Sequence, residues 1–162
     1  MKHYFGFVIF PVSAVALFID AVAIGTANWA NSGTSTETSQ GLWQNCALHK
    51  CATLTVVPSY LHAVRSLSII GAILLLFSTA LGLYVATRKY NQSSRYVDNL
   101  LFGLLVSASV SLLSAMATFT GEHPTPYPTR YGYSFVLGWV SASLCLLLSA
   151  ATFIGIYRAT PM

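Results

Sequence analysis

Cys46 and Cys51 enclose four residues. Two thiols that close together oxidise to a bridge, stay free, or supply half of a metal site. Zinc asks for four ligands; His49 lies between the cysteines, but no second cysteine pair accompanies them. An oxidising extracellular setting makes the disulfide the natural reading, and in the chain-entropy model so short a loop is worth about 2 kcal/mol. The third cysteine, Cys145, sits in an apolar run and reads as packing. His49, His62 and His123 are candidates for a zinc-binding trio only if the fold gathers them, which sequence distance does not argue. Asp20 is an acid inside an apolar stretch. No Ser/His/Asp set, Gly-rich phosphate loop or carboxylate pair is present, so no enzyme, cofactor or resident metal is expected.

The elements that hold these residues follow from composition. Of 162 residues, 55% are hydrophobic and 7% charged, with a mean hydropathy of +0.65. Soluble domains carry about 25% charged residues, so a soluble globule is excluded. The net charge of +4 is too small to point to nucleic acid. Crossing a bilayer takes about 20 apolar helical residues, and four stretches qualify: about 5–27, 66–86, 100–120 and 135–157. Ala21-Val22-Ala23 resembles a signal-cleavage triplet, but the run before it exceeds the ~7–15 residues of a signal core and contains Pro11, so it reads as a span. Lys2, Arg88, Lys89, Arg95 and Arg158 fall on one side and Lys50, Arg65 and Arg130 on the other. That bias places both termini in the cytoplasm of a plasma-membrane protein. Residues 28–65 then form a first extracellular loop, 87–99 a cytoplasmic loop and 121–134 a second extracellular loop, in a single tetraspan domain spanning 1–162.

The first loop carries most of the information. Asn31–Gln40 is rich in Gly, Ser and Thr, a turn signal. Cys51–Val57 is rich in β-branched residues and stops at Pro58, which reads as a strand with a breaker. Two or three short antiparallel strands are expected on the outer membrane surface. Trp29, directly after the first span, is placed as an interfacial anchor. Trp43 is too far along for that and is expected to fix the sheet to the helix tips.

Trp29, then Gly41-Leu42-Trp43, then Cys46 and Cys51, resemble the W…GLW…C…C signature of the claudin superfamily. Arg65 matches the basic residue at the mouth of its second span, and Tyr133-Ser134-Phe135-Val136-Leu137-Gly138-Trp139 resembles the last span of the peripheral myelin, epithelial membrane and lens fibre membrane protein branch. The resemblance implies a left-handed four-helix bundle capped by an extracellular β-sheet, in non-enzymatic proteins that build or regulate cell contacts, barriers, myelin or membrane-protein trafficking. Three departures stand out. Asn45-Cys46-Ala47 lacks the Ser/Thr of a glycosylation acceptor, and the one N-x-S/T, Asn91-Gln92-Ser93, falls on the cytoplasmic side. Asp20 is unexpected. The terminal Thr160-Pro161-Met162 fits a PDZ-binding end only loosely and follows closely on the last span.

Lipid gives helices little hydrophobic reason to pair, so small residues must allow close approach. Gly103, Ser107, Ser111 and Ala115 recur at four-residue spacing, as do Ser78 and Gly82, Gly138 and Ala142, and Ala21 and Gly25. They are expected to pack the bundle, with a dimer face as the sharper reading. Asp20, about 10 Å below the outer end of its span, is expected to hydrogen-bond Ser114 or Ser141; a proton or cation site is the alternative. The second loop, with Pro124, Pro126 and Pro128, is expected to be stiff, either a plain connector or a display for Tyr127 beside Trp43 as a partner contact. The fold class is therefore an all-α membrane protein, a four-helix transmembrane bundle with a small extracellular antiparallel sheet. The functions that fit are cell–cell contact or membrane organisation, with the bilayer and a like tetraspan in cis or trans as partners. Accessory control of a channel, receptor or integrin is the alternative. A paracellular pore is a weaker one, since only Glu37 and Lys50 would select ions.

Overall fold

The computed structural model describes residues 2–32, 38–47, 50–87, 95–122 and 129–158. In chain order these form α1 (Lys2–Gly25), β1 (Ala30–Ser32), β2 (Thr38–Gln40), β3 (Gln44–Ala47), β4 (Lys50–Thr53), α2 (Ser59–Thr87), α3 (Arg95–Glu122), β5 (Thr129–Tyr131) and α4 (Tyr133–Arg158). All four helices contain windows long and apolar enough to cross a membrane. Each packs on its two neighbours, in the cyclic order α1, α2, α3, α4. Large side chains point outward, Phe18, Phe77, Leu147 and Phe153 among them, while Ser13, Ala16, Ser78, Ala108, Ser141 and Ala142 are buried between helices. That distribution suits lipid outside and close backbone approach inside.

The core has three layers. The first, under the sheet, holds Trp29, Leu42, Leu61, Val64, Met116, Phe119 and Phe135. Leu75, Ala108, Leu112, Ala142 and Cys145 form the middle layer, and Ile9, Leu101, Leu105 and Leu148 the last. Helix α2 begins at Ser59, seven residues before the expected span edge at 66. Leu61 and Val64 lie three residues apart on one helix face and pack into the first layer, so tertiary burial extends the helix past its most apolar part.

The sheet has five antiparallel strands in the order β4-β3-β2-β1-β5, against the two or three expected. The fifth comes from the second loop: Ala30, Asn31 and Ser32 pair with Tyr131, Arg130 and Thr129. The strand expected over Cys51–Val57 is shorter, ending at Thr53, and Pro58 accepts the first turn of α2 from Leu61 N–H at 3.0 Å.

The small-residue stripe on α3 is corrected in half its length. Ser111 and Ala115 are buried, but Gly103 and Ser107 are exposed. Each step of four residues turns about 40° further round a helix of 3.6 residues per turn, so three steps carry the row about 120° and off the packed face. Leu101, Leu105 and Ala108 take the inward positions instead. On α1, Ala21 and Gly25 likewise face out. Ser78, Gly82, Gly138 and Ala142 are buried, Gly82 against the α1 backbone at Phe10 and Gly138 against Met116.

Candidate contact surface at the sheet end

The last turn of any helix leaves carbonyls without intrahelical donors, and near a membrane each must find another. Helix α1 meets this requirement with side chains. Val22 C=O accepts from Thr26 N–H (3.1 Å) and Thr26 Oγ1 (2.7 Å). Ala23 C=O accepts from the Trp29 indole N–H at 2.8 Å. Ile24 C=O accepts from the Trp43 indole N–H at 3.0 Å. The two tryptophans are thus caps on one helix end. Trp29 is not the lipid-interface anchor expected from its position: it is 1% exposed, with its ring 4.9 Å from Phe119 and 6.4 Å from Phe135. The chain turns back immediately after α1 and carries the ring into the bundle mouth. Trp43 is 42% exposed and joins the sheet to α1.

Gly41-Leu42-Trp43 forms the turn between β2 and β3, closed by Gly41 N–H to Gln44 C=O at 2.9 Å. A side chain at position 41 would collide with the Ala27 Cα and the Thr26 carbonyl, so glycine lets the turn lie on the end of α1. Leu42 plunges into the core and Trp43 lies over α1. Arg65, one helix away, donates from Nε (2.8 Å) and from Nη2 to the Leu42 carbonyl, and its guanidinium stacks on the Trp43 ring 4.6 Å from the centroid. One cation therefore fixes both the turn's backbone and its exposed indole. Arg65→Lys keeps the charge but loses the planar two-donor grip and stacking. It is expected to lower unfolding free energy by about 1.5–3 kcal/mol, read by thermal denaturation in detergent; an unchanged midpoint would remove Arg65 from this role.

The other end of the sheet is tied to α4. Gly132 N–H donates to Trp29 C=O (2.9 Å), Ser134 N–H to Asn28 C=O (3.1 Å), and the Ser134 and Thr26 hydroxyls bond at 2.6 Å. At Gly132 a Cβ would run into the Asn28 carbonyl, so this crossing also needs glycine. None of these ties was anticipated; the one sequence signal for them is Gly132, shortly before an apolar run.

Cys46 and Cys51 are bonded and stand directly opposite each other on β3 and β4. All four residues of β4 are exposed and it forms one edge of the sheet, its outer backbone groups without a sheet partner among the described residues. Val56, just beyond it, is 82% exposed. Tyr127, expected to project beside Trp43, lies outside the described residues, as do His49 and His123. Among the described residues no three His, Cys, Asp or Glu side chains gather as a metal site.

The expected bond from Asp20 to Ser114 or Ser141 is not made. Ser141 donates instead to Ala16 C=O at 2.9 Å, and Asp20, 3% exposed, has a buried Oδ2 without a partner. A backbone carbonyl one turn away on α1 outcompetes the carboxylate for that hydroxyl. Ser111 donates across to Leu67 C=O at 2.8 Å, giving α3–α2 the same kind of cross-helix bond. Ser141→Ala is expected to cost only about 0.6 kcal/mol, the average for hydrogen bonds between membrane helices; a loss several times larger in a denaturant titration would show that Ser141 does more than join α4 to α1.

A family model described as "PMP-22/EMP/MP20/Claudin family" matches residues 3–150. Epithelial membrane protein 2 of Danio rerio is 32% identical over 147 residues, covering 83% of this chain and 84% of that protein. The family model covers α2, α3, the whole sheet, nearly all of α1 and the first two thirds of α4, and on both comparisons this multi-pass membrane protein belongs to the PMP-22/EMP/MP20/Claudin family.

Proposed function

We propose that the protein acts in cell–cell contact or membrane organisation through its sheet, which faces out of the cell while both termini lie in the cytoplasm. The observation that carries this reading is the rim of the sheet end. Val56 and Trp43 are apolar and exposed beside the fully exposed edge strand β4, a surface suited to a protein partner. The orientation rests on the charge bias, with Arg88, Lys89 and Arg95 falling close together in sequence between the second and third apolar runs. The partner is a second copy or a related tetraspan, in the same or the facing membrane. Non-adherent cells expressing the protein should aggregate, and Val56→Asp should abolish aggregation without reducing surface delivery. Cells that stay dispersed while the protein reaches their surface would refute adhesion.

A second reading, an accessory subunit that controls delivery or activity of a channel, receptor or integrin, draws on the outward Gly103 and Ser107 of α3. They leave a shallow strip on the lipid face where another helix can approach closely. Copurification of a partner from a single cell type, lost on Gly103→Leu, would favour it.

A further inference from the structure

A short hairpin with little buried side-chain surface is held by little more than its hydrogen-bond ladder. Strands β3 and β4 are in that state. Lys50, Cys51, Ala52 and Thr53 are all exposed, and so are Asn45 and Ala47 on the facing strand. Neither cysteine belongs to any of the three core layers. The rest of the sheet end is anchored by other residues. Leu42 fills the core, Trp43 donates to the Ile24 carbonyl, and Arg65 grips the Leu42 carbonyl. Leu54 N–H returns to Trp43 C=O at 3.2 Å, and β3 is also paired with β2. The Cys46–Cys51 bridge therefore clamps the outermost strand, β4, while the anchors of the bundle mouth bypass it.

A thiolate opens a disulfide by attacking a sulfur that it can reach. Cys51 lies on the exposed edge strand, whereas Cys46 is half-buried on the inner one. An exposed cystine of this kind is the labile class, in contrast to one sealed in a core. We propose that Cys46–Cys51 is a reversible thiol–disulfide exchange site, opened at the Cys51 sulfur by a protein dithiol of thioredoxin type. Opening it releases β4 from the sheet while the bundle stays folded. One thiolate of the dithiol bonds to Cys51 Sγ, the Cys46–Cys51 bond breaks, and the Cys46 sulfur leaves as a thiolate. The second thiolate of the dithiol then attacks its own partner sulfur in the mixed disulfide, and Cys51 leaves. Two electrons pass to the cystine, the dithiol becomes a disulfide, and its two protons end on Cys46 and Cys51. Exchange itself needs no partner surface. Its consequence rests on the reading above: β4 is the edge that meets a neighbour, so releasing it ends the contact.

The test uses the full chain in nanodiscs, with both ends in water. Equilibrated with equal amounts of reduced and oxidised thioredoxin-type protein, about half or more of the molecules should gain two thiols, mapped to Cys46 and Cys51. Less than about a tenth would mark the bridge as a purely structural one and overturn the proposal. A dithiol protein whose resolving cysteine is replaced by serine should remain attached to Cys51; capture at Cys46 would refute the assigned sulfur. Amide hydrogen exchange across Lys50–Thr53 should accelerate at least about tenfold on reduction and return on reoxidation, with the four helices unchanged. An unaltered rate in β4, or a rise throughout the helices, would each defeat the proposed release. On cells, aggregates should disperse under a membrane-impermeant reductant and re-form on oxidation. Aggregates that persist while both thiols are labelled would overturn the switch. Cells that never aggregate count against adhesion alone, because thiol mapping and amide exchange are read without a partner.

Discussion

Trp29→Ala should lower the unfolding free energy by about 3–5 kcal/mol, the range for removing a buried large aromatic, and should be the most damaging single truncation at the sheet end. Three losses add. The cavity opens at the centre of the first core layer, between Phe119 and Phe135. The Ala23 carbonyl loses its donor at a place where water does not readily replace it. The two contacts that hold the Trp29 backbone, from its N–H to Gln40 C=O and from Gly132 N–H to its C=O, are left on a segment with no side-chain anchor. Trp29→Phe separates the effects: it refills most of the volume but supplies no N–H, and should cost about 1–3 kcal/mol. The measurement is a denaturant titration in mixed micelles followed by the remaining tryptophan fluorescence. If Trp29→Ala unfolds at the wild-type midpoint, the indole is not the keystone of the bundle mouth.

That role also marks how far the sequence could be read. The four helices were legible because lipid forces long apolar runs, and the disulfide because two cysteines stand at hairpin spacing. The depth of Trp29 was not. Its neighbours in sequence are alanines and asparagines, with no apolar periodicity, and its burial partners, Phe119 and Phe135, lie about a hundred residues away. Strand β5 was hidden for the same reason: three residues, Thr129–Tyr131, make a strand only because β1 offers an edge, and no local pattern announces that pairing. Small residues at four-residue spacing named the right interface on α4 but drifted off it on α3, where the spacing and the helical repeat part company over three steps. Trp43 and Arg65 were recognised from the motif. Their shared geometry, one guanidinium serving a carbonyl and an indole together, required the turn's actual path across α1.

Asp20→Leu should raise stability by about 1–2.5 kcal/mol, the reverse of the usual sign for a core substitution. The ceiling is the insertion cost of an acid at the centre of a span, and Asp20, five residues from the end of α1, falls below it. Among the described residues nothing offsets that cost at Oδ2, which is buried and unpartnered, and Ser141, the hydroxyl best placed to help, is committed to Ala16. Leucine branches at the same carbon as aspartate, so it fits the site with little new strain, whereas Asp20→Asn keeps a buried polar group and should recover only part of the gain. The comparison of the two is the informative one. If both variants are more stable in the same order and still reach the cell surface, the carboxylate is a structural burden on α1. If Asp20→Leu is instead destabilising while Asp20→Asn is neutral, a polar atom at this depth has a partner in the membrane that the isolated chain does not supply, and the bundle would have to be regarded as incomplete on its own.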